Sequence, residues 1–326
     1  MRALVTGGQG FVGSHLCARL VAQGHRVRVL ARPSSDLRNL DKIDVELVRG
    51  DLTERSTLPS AVAGSDVIFH VAGALKGLYE RDLFRVNAEG TRNLLSAAMS
   101  AQPRPSRFLF VSSLAAAGPS PGGTAPLTED MPPRPLTWYG ASKLAGEEAV
   151  RAMASVDWTI VRPPIVFGPR ERDVLGYFRI ARSGRLPVVG FSDRYYSLVY
   201  VDDLAEGLLR AAEAPAAARQ LYFLTGPEVV SWIELGQLIA SALGVAGRPL
   251  RIPELAATAA GRIADLFAHI RGRPDIFSSQ KVLEMLAPAW VCSAEKAARD
   301  FAWRASTPLA DGLAITARWY REHGWL

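Results

Sequence analysis

Short apolar runs and longer stretches of helical spacing take turns along the chain. Arg2-Ala3-Leu4-Val5, His25 to Arg32, Val45 to Val48, Val67 to Val71, Phe108 to Val111 and Trp158 to Arg162 read as strands rich in Val, Leu, Ile and Phe. His15 to Gln23 and Asn87 to Ser100 carry apolar residues at helical spacing, and Trp138 opens a helix that continues through Glu147, Val150 and Met153. The second strand is reached through a βαβ crossover. Ala115 to Pro135 is rich in Gly, Pro and Ala and reads as a loop. Farther on, Tyr196 to Val201 and Gln220 to Leu224 read as strands and Asp202 to Glu213 as a helix. From Gly226 the pattern turns helical, with helices predicted at Trp232 to Leu243, Leu255 to Ile270 and Leu309 to Trp319.

The turn after the first strand carries the first chemistry. Thr6-Gly7-Gly8-Gln9-Gly10-Phe11-Val12-Gly13 joins a strand to a helix. Gly7 suits a tight turn, Gly10 lets backbone approach a pyrophosphate, and Gly13 lets the helix pack closely on the strand. The N–H groups of the following helix N-terminus then face the phosphates. This context separates a dinucleotide site from an ordinary glycine turn.

Composition narrows the class without choosing a function. Hydrophobic residues make up 48% of the 326 and charged residues 21%, the balance of a soluble globular protein. The formal charge of +6 comes from scattered Arg and Lys rather than from runs alternating with aromatics, so no nucleic-acid partner is expected. Cys17 and Cys292 form no CxxC pair and have no His cluster beside them, so neither disulfides nor a metal site is expected, and a reducing cytoplasm fits. No stretch approaches the roughly 20 apolar residues of a membrane span. The opening apolar run breaks at Gly7, unlike a signal peptide.

Strand ends supply the remaining candidates. Ala31-Arg32 followed by Pro33-Ser34-Ser35 places an arginine where an acidic residue would accept ribose hydroxyls, which points to NADP(H), although Asp36 stands close enough to serve NAD. Asp51, in Gly50-Asp51-Leu52, can accept from an adenine amino group or act as a turn residue. Ala72-Gly73-Ala74 would let a loop lie against a cofactor, and His70, on an apolar strand, reads as a packed core residue. Tyr139 and Lys143 are four apart on one helical face, downstream of Ser112-Ser113 at a strand end.

Taken in order, Thr6 to Gly13, Gly50-Asp51, Asn87-Ala88-Glu89-Gly90-Thr91, Ser112-Ser113, Tyr139 with Lys143, Arg162-Pro163-Pro164 and Val201-Asp202-Asp203-Leu204 resemble the extended short-chain dehydrogenase/reductase family, also called the NAD-dependent epimerase/dehydratase family. The resemblance implies an α/β fold: a doubly wound parallel sheet (Rossmann) with a smaller, mostly helical C-terminal substrate domain. Residues 1–165, completed by 196–225, would bind the dinucleotide, and 166–195 with 226–326 would bind substrate. It implies cofactor contacts from Gly7, Gly10, Phe11, Val12 and Arg32, from Asp51, Leu52, Ala72 and Gly73, and from Asn87, Tyr139, Lys143, Pro163 and Ile165. Asn87 also reads as a helix cap.

In that family Tyr139 would be the general acid/base, Lys143 would hold the nicotinamide ribose, and Ser113 would bond the substrate oxygen. A free tyrosine titrates near 10, and lowering it by about three units takes about 4 kcal/mol. Lys143, the helix N-terminus and an oxidised nicotinamide would supply this together. Two departures guide the substrate. Leu114-Ala115 follow Ser113 where 4,6-dehydratases carry an acidic pair. Tyr196-Ser197-Leu198 stand where sugar-nucleotide epimerases carry an Arg-Asp-aromatic run, with Arg170, Arg172 or Arg194 as substitutes.

The run Ser197 to Asp203 and the Arg32-Pro33-Ser34 turn are more similar to the 3-beta-hydroxysteroid dehydrogenase and dihydroflavonol reductase branch. The expectation is an NADP(H)-preferring alcohol dehydrogenase or ketone reductase for an apolar compound, with NAD as the other cofactor. A sugar-nucleotide epimerase and a non-catalytic dinucleotide sensor are the alternatives. A homodimer through the helices near Asn87 and Tyr139 is implied. Leu255 to Ile270 reads as core, interface, pocket cover or peripheral membrane contact.

Overall fold

Seven parallel strands form the central sheet of the structure, a computed structural model that describes residues 1–153, 155–275 and 277–326. Their order across the sheet is Gln220–Phe223, Asp157–Arg162, Arg107–Val111, Val67–His70, Arg2–Thr6, Arg26–Ala31 and Glu46–Arg49. The first strand pairs with the second on one side and with Val67–His70 on the other. Winding therefore reverses beside Thr6, and in open α/β sheets the carboxyl ends at such a reversal form a binding crevice.

The strands read as continuous apolar runs because helices cover both faces. On one face Phe11–Ala22 and Val201–Glu213 pack Leu16, Leu20, Leu204 and Leu208 against Val5, Val29 and Phe69. On the other, Gly90–Ser100 and Trp138–Arg151 bring Leu94, Leu95 and Val150 onto Leu4, Ile68, Phe108 and Phe110.

Local signals explain where the site-bearing helices start. Thr137 caps Trp138–Arg151 by accepting from the Gly140 N–H at 3.2 Å. The helix expected to start at Asn87 starts earlier, at Glu80, with Asp82 accepting from the Tyr79 N–H at 3.1 Å. It then passes through a π-helical turn, Arg85–Glu89, before Gly90–Ser100. Asn87 thus sits in a π turn rather than at a cap, a bulge of the kind found at functional sites. The loop expected from Ala115 opens with a short helix, Leu114–Ala117, capped by Ser113.

The second lobe is less purely helical than its sequence suggests. Tyr195–Tyr200 pairs with Val229–Ser231, Ala289–Trp290 and Ile165–Phe167, while Arg185–Val189 pairs with Arg248–Ile252. Helices Leu175–Ala181, Trp232–Leu243, Glu254–Arg271, Ser279–Leu286 and Leu309–Glu322 surround these strands. The expected boundaries shift in two places. Tyr196, Leu198 and Tyr200 point into the lobe's core and Val199 into that of the main sheet, so this strand is the seam between them. Conversely Ala297 and Trp303, assigned above to the substrate lobe, pack in the core of the main sheet, with Trp303 Nε1 donating to the Asp203 carbonyl at 3.2 Å.

Candidate active site

At the sheet reversal the glycine turn has the geometry its sequence promised. Gly7 has φ +71°, and a Cβ there would stand 2.8 Å from Ala72 backbone atoms; a Cβ on Gly13 would meet the Gly7 carbonyl oxygen at 2.1 Å. Gly10 precedes Phe11–Ala22 with no side chain capping the helix, so the N–H groups at Phe11 and Val12 face outward. A Cβ on Gly10 would approach only the Gly7 carbonyl, at 3.2 Å, leaving the cradle open toward a ligand. Gln9 Oε1 is buried without a partner among the described residues. An open helix N-terminus and an orphaned acceptor fit a bound dinucleotide, with phosphates on the turn and a hydroxyl donor at Gln9.

Beyond the second strand, Arg32 is exposed, and its guanidinium makes no hydrogen bond or ion pair among the described residues. Asp36, the competing ribose acceptor, is tied to Arg38 through Nε at 3.0 Å and NH2 at 2.5 Å, which holds its carboxyl down to about 2. Asp51 Oδ1 accepts from the Thr53 N–H and hydroxyl, both at 2.8 Å, so it forms a local turn. The Leu52 side chain is buried against the sheet, and its carbonyl accepts from Asn93 Nδ2 at 2.9 Å.

His70 is buried and held from both sides: Nδ1 lies 2.7 Å from Thr6 Oγ1 and Nε2 2.9 Å from Thr91 Oγ1. Thr91 spends its proton on the Asn87 carbonyl at 2.7 Å, so its oxygen accepts from His70 Nε2–H. Nδ1 therefore accepts from Thr6, whose oxygen accepts from the Ala72 N–H at 3.2 Å. Burial pushes the imidazole down to about 3, in keeping with the packed core residue expected.

Asn87 Oδ1 accepts from the Ala74 N–H at 2.8 Å, and Nδ2 donates to the Ala74 carbonyl and to Ser142 Oγ, both at 2.9 Å. A Cβ on Gly73 would stand 3.1 Å from Asn87 Oδ1 and 3.5 Å from Lys143 Nζ. The loop after the fourth strand thus brings Gly73 directly over both side chains.

Ser113, Tyr139 and Lys143 meet at the carboxyl end of Arg107–Val111. Gly140 allows this: a Cβ there would strike the Ala115 carbonyl at 2.2 Å, so the Tyr139 helix lies against the Ser113 turn. Ser113 Oγ accepts from the Ala115 N–H at 3.1 Å and lies near enough to the Tyr139 hydroxyl to act on its titration. Lys143 is buried, donates Nζ to the Val111 carbonyl at 2.6 Å and sits 4.3 Å from the centre of the Phe110 ring.

The expected lowering of the Tyr139 phenol is not produced by the protein's own groups. Burial pushes it up to about 12 against the opposing influence of the Ser113 hydroxyl, with the charges of Glu284 and Asp173 adding to the rise. Lys143 is pulled down to about 7 by burial, against the favourable charge of Glu147. Its ammonium is directed at a backbone carbonyl, one strand end from the phenol it was expected to acidify.

Behind Lys143 lies a cluster that the sequence reading left without a role. Glu147 is fully buried; Oε1 accepts from Ser112 Oγ at 2.6 Å and Arg162 Nε at 2.7 Å, and Oε2 from Arg162 NH2 at 2.7 Å and Arg151 NH2 at 3.0 Å. The signal was available: Glu147 lies one turn beyond Lys143, and Arg162 ends an apolar strand, where a buried cation needs a counter-charge. Pro163 is buried, its carbonyl accepting from the Leu114 N–H at 2.8 Å, and Ile165 is half-buried beside it.

Two of the arginines considered as phosphate partners have other work. Arg194 bonds the Val189 carbonyl at 2.5 Å and Glu254 at 2.6 Å. Arg170, at φ +74°, reaches Ser14 Oγ at 3.0 Å. Leu114 and Ala115, after Ser113, are buried apolar residues with no carboxylate.

Known proteins resemble this chain along most of its length. The model of the NAD dependent epimerase/dehydratase family matches residues 3–224. Ceramide reductase of Caulobacter vibrioides is 34% identical over 323 residues, covering 99% of this chain and 95% of that one. UDP-glucose 4-epimerase of Mycolicibacterium smegmatis is 32% identical over 349 residues, covering 99% of each. Among solved structures, the dTDP-glucose 4,6-dehydratase DesIV of Streptomyces venezuelae, with NAD bound, superposes with a TM-score of 0.81 at 25% identity, covering 100% of this chain and 98% of that one.

Proposed function

The chain belongs to the NAD dependent epimerase/dehydratase family, the extended short-chain dehydrogenases/reductases, and is an NAD(P)-dependent enzyme; on that premise we propose that it interconverts a secondary alcohol and a ketone on an apolar substrate, preferring NADP(H). The observation that carries the reading is the pairing of an assembled Ser113, Tyr139 and Lys143 with buried apolar residues at the positions where nucleotide-sugar enzymes of the family bring charge. Leu114 and Ala115 supply no carboxylate for elimination, and Tyr196 and Leu198 are buried where a cation would meet a diphosphate. A ceramide reductase among the relatives supports an apolar substrate.

A nicotinamide dinucleotide would supply the hydride acceptor or donor. The Phe11–Ala22 N-terminus would hold its phosphates, Gly73, Asn87 and Lys143 would line its nicotinamide end, and Arg32, free beside an Asp36 already committed to Arg38, would meet a 2′-phosphate. Ser113 orients the substrate oxygen, and Tyr139 gives or takes the proton at its hydroxyl. Since the protein alone holds Tyr139 at about 12, its neutral form is the resting state, suited to donating a proton to a reduced ketone oxygen.

The test is absorbance-monitored turnover of NADPH and NADH with long-chain 3-oxo compounds and of NADP+ and NAD+ with hydroxysteroids, with UDP-sugar isomerisation followed separately. Conversion of UDP-glucose to UDP-galactose, followed by chromatography because epimerisation returns its hydride and consumes no NAD(P)H, together with no turnover of the apolar compounds, would establish the epimerase, the reading favoured by the Mycolicibacterium relative. Tyr139→Phe is expected to lower kcat by about 10²–10⁴-fold while cofactor still binds. An unchanged rate would remove Tyr139 from the chemistry. Arg32→Ala is expected to raise the Kd for NADPH about tenfold or more and leave that for NADH unchanged, since one charge-assisted bond to phosphate is lost. Equal effects would make Arg32 an ordinary surface residue.

A further inference from the structure

The Glu254–Arg271 helix is apolar on the wrong side for a core element. Leu255 is 85% exposed, Leu266 60% and Ile270 70%, and Ile263 and Phe267 stand with them on one outward stripe. Its inward face is made of small residues, with Ala257 and Gly261 buried against Ser279–Leu286. At 1.5 Å per residue the helix is about 27 Å long. No helix among the described residues is long and apolar enough to cross a membrane.

The charges beside the stripe choose its partner. From 248 to 273 the chain has five arginines, Arg248, Arg251, Arg262, Arg271 and Arg273, against two acids. Both acids are engaged within the protein: Glu254 is paired with Arg194 at 2.6 Å, and Asp265 accepts from the Ser279 N–H at 3.2 Å. Arg262 and Arg271 are exposed at the two edges of the stripe, and Arg271 lies 5.7 Å from the Phe267 ring centre. Two copies docked by a two-fold axis would set this basic border against itself. An anionic bilayer meets both halves of the pattern, taking the apolar stripe into its acyl boundary and the guanidinium groups into its headgroups.

The same hairpin reaches the active site. Gln280 Oε1 accepts from the Trp138 N–H at 2.9 Å, next to Tyr139, and Glu284 acts on the charge of Tyr139. The His269 ring meets Tyr79 edge-on at 5.4 Å, in the loop that follows Gly73. We propose that Glu254–Arg271 docks the protein on an anionic lipid surface and brings the mouth of the Tyr139 site to the bilayer. The docking stands on this helix alone; its use, loading an apolar substrate from the lipid phase, rests on the reductase reading.

Co-sedimentation of the full chain with vesicles tests the docking without substrate. The protein is expected to pellet with phosphatidylglycerol–phosphatidylcholine vesicles and not with pure phosphatidylcholine. Leu266→Ser with Ile270→Ser is expected to weaken binding about tenfold or more, as is Arg262→Glu with Arg271→Glu. These side chains are exposed, so folding, checked by circular dichroism, is retained. No pelleting on anionic vesicles, or pelleting indifferent to both pairs of substitutions, would overturn the proposal. So would a light-scattering mass of a dimer that the Leu266→Ser, Ile270→Ser variant splits, which would give the face to a second copy. Because no turnover is read, a failure here leaves the reductase reading standing, and a failed substrate assay leaves the docking standing.

Discussion

Lys143 is flanked by two buried polar clusters built on opposite principles. On the cofactor side, Ala72, Thr6, His70, Thr91 and the Asn87 carbonyl form a neutral chain in which every donor has one acceptor. On the other side, the Glu147 carboxylate receives Ser112, Arg151 and both ends of the Arg162 guanidinium. The neutral chain orients backbone, tying the glycine turn to the π turn without placing a charge in the sheet. The ionic cluster ties the Tyr139 helix to two strand ends through charge-assisted bonds, stronger and less tolerant of loss. One arrangement degrades gradually and the other all at once.

Breaking the ionic side should therefore give the largest effect. Glu147→Gln leaves Arg162 buried without a counter-charge, at an expected cost of about 3–5 kcal/mol in urea unfolding. Arg151, partly exposed, can turn to water, but Arg162 at 2% exposure has no such exit. Glu147→Leu combined with Arg162→Met should recover most of the loss, because an apolar pair of similar volume leaves no uncompensated charge. A Glu147→Gln cost below that of any His70 substitution would erase the distinction between the two clusters.

The neutral side should respond less, and differently to pH. His70→Leu strands the Thr6 and Thr91 hydroxyls, at an expected cost of about 1–3 kcal/mol at pH 7. Below that pH the native chain carries its own weakness here. His70 is held from its usual 6.5 down to about 3, so between those values the unfolded chain binds a proton that the folded one refuses. Stability should then fall as pH falls, by about 1.4 kcal/mol per pH unit from this group. Urea midpoints at pH 7, 5.5 and 4.5 check this: the His70→Leu variant should show a shallower decline than wild type. Parallel declines would mean that the imidazole already titrates freely.

What the sequence made legible follows the range of the interactions. Gly10 and Gly13 answer to the Gly7 carbonyl a few residues away, Gly7 to the φ +71° of its own turn, and the Tyr139–Lys143 spacing is one helical turn, so a linear pattern contains both. His70 was readable as core because its strand is apolar throughout. The direction of Lys143 was not, since it depends on the Val111 carbonyl, brought close only by the Gly140 contact. The role of Glu147 was half legible: Arg162, ending an apolar strand, called for a counter-charge, but which acid would supply it depended on how the strand and the helix come together. The lobe's Arg185–Val189 and Arg248–Ile252 strands carry Pro187, Pro249 and three arginines, a local pattern that only their mutual pairing overrides.

Ser142 gives the finest test, because it joins the neutral side to the catalytic helix. Its hydroxyl accepts from Asn87 Nδ2 at 2.9 Å and donates to the Tyr139 carbonyl at 2.8 Å. Ser142→Ala removes both bonds, yet Asn87 keeps its two bonds to Ala74, so no buried group is left wholly unpaired. The expected loss of stability is about 1 kcal/mol or less, the smallest of the series. If the neutral chain also positions the chemistry, kcat should fall several-fold while the Kd for cofactor stays put, because Asn87 remains on the loop and Tyr139 loses a restraint on its helix turn. An unchanged kcat would confine the neutral chain to holding the cofactor side, leaving the Glu147 cluster alone to set the Tyr139 helix. A loss as large as that of Glu147→Gln would mean that the two clusters act as one, joined through Ser142.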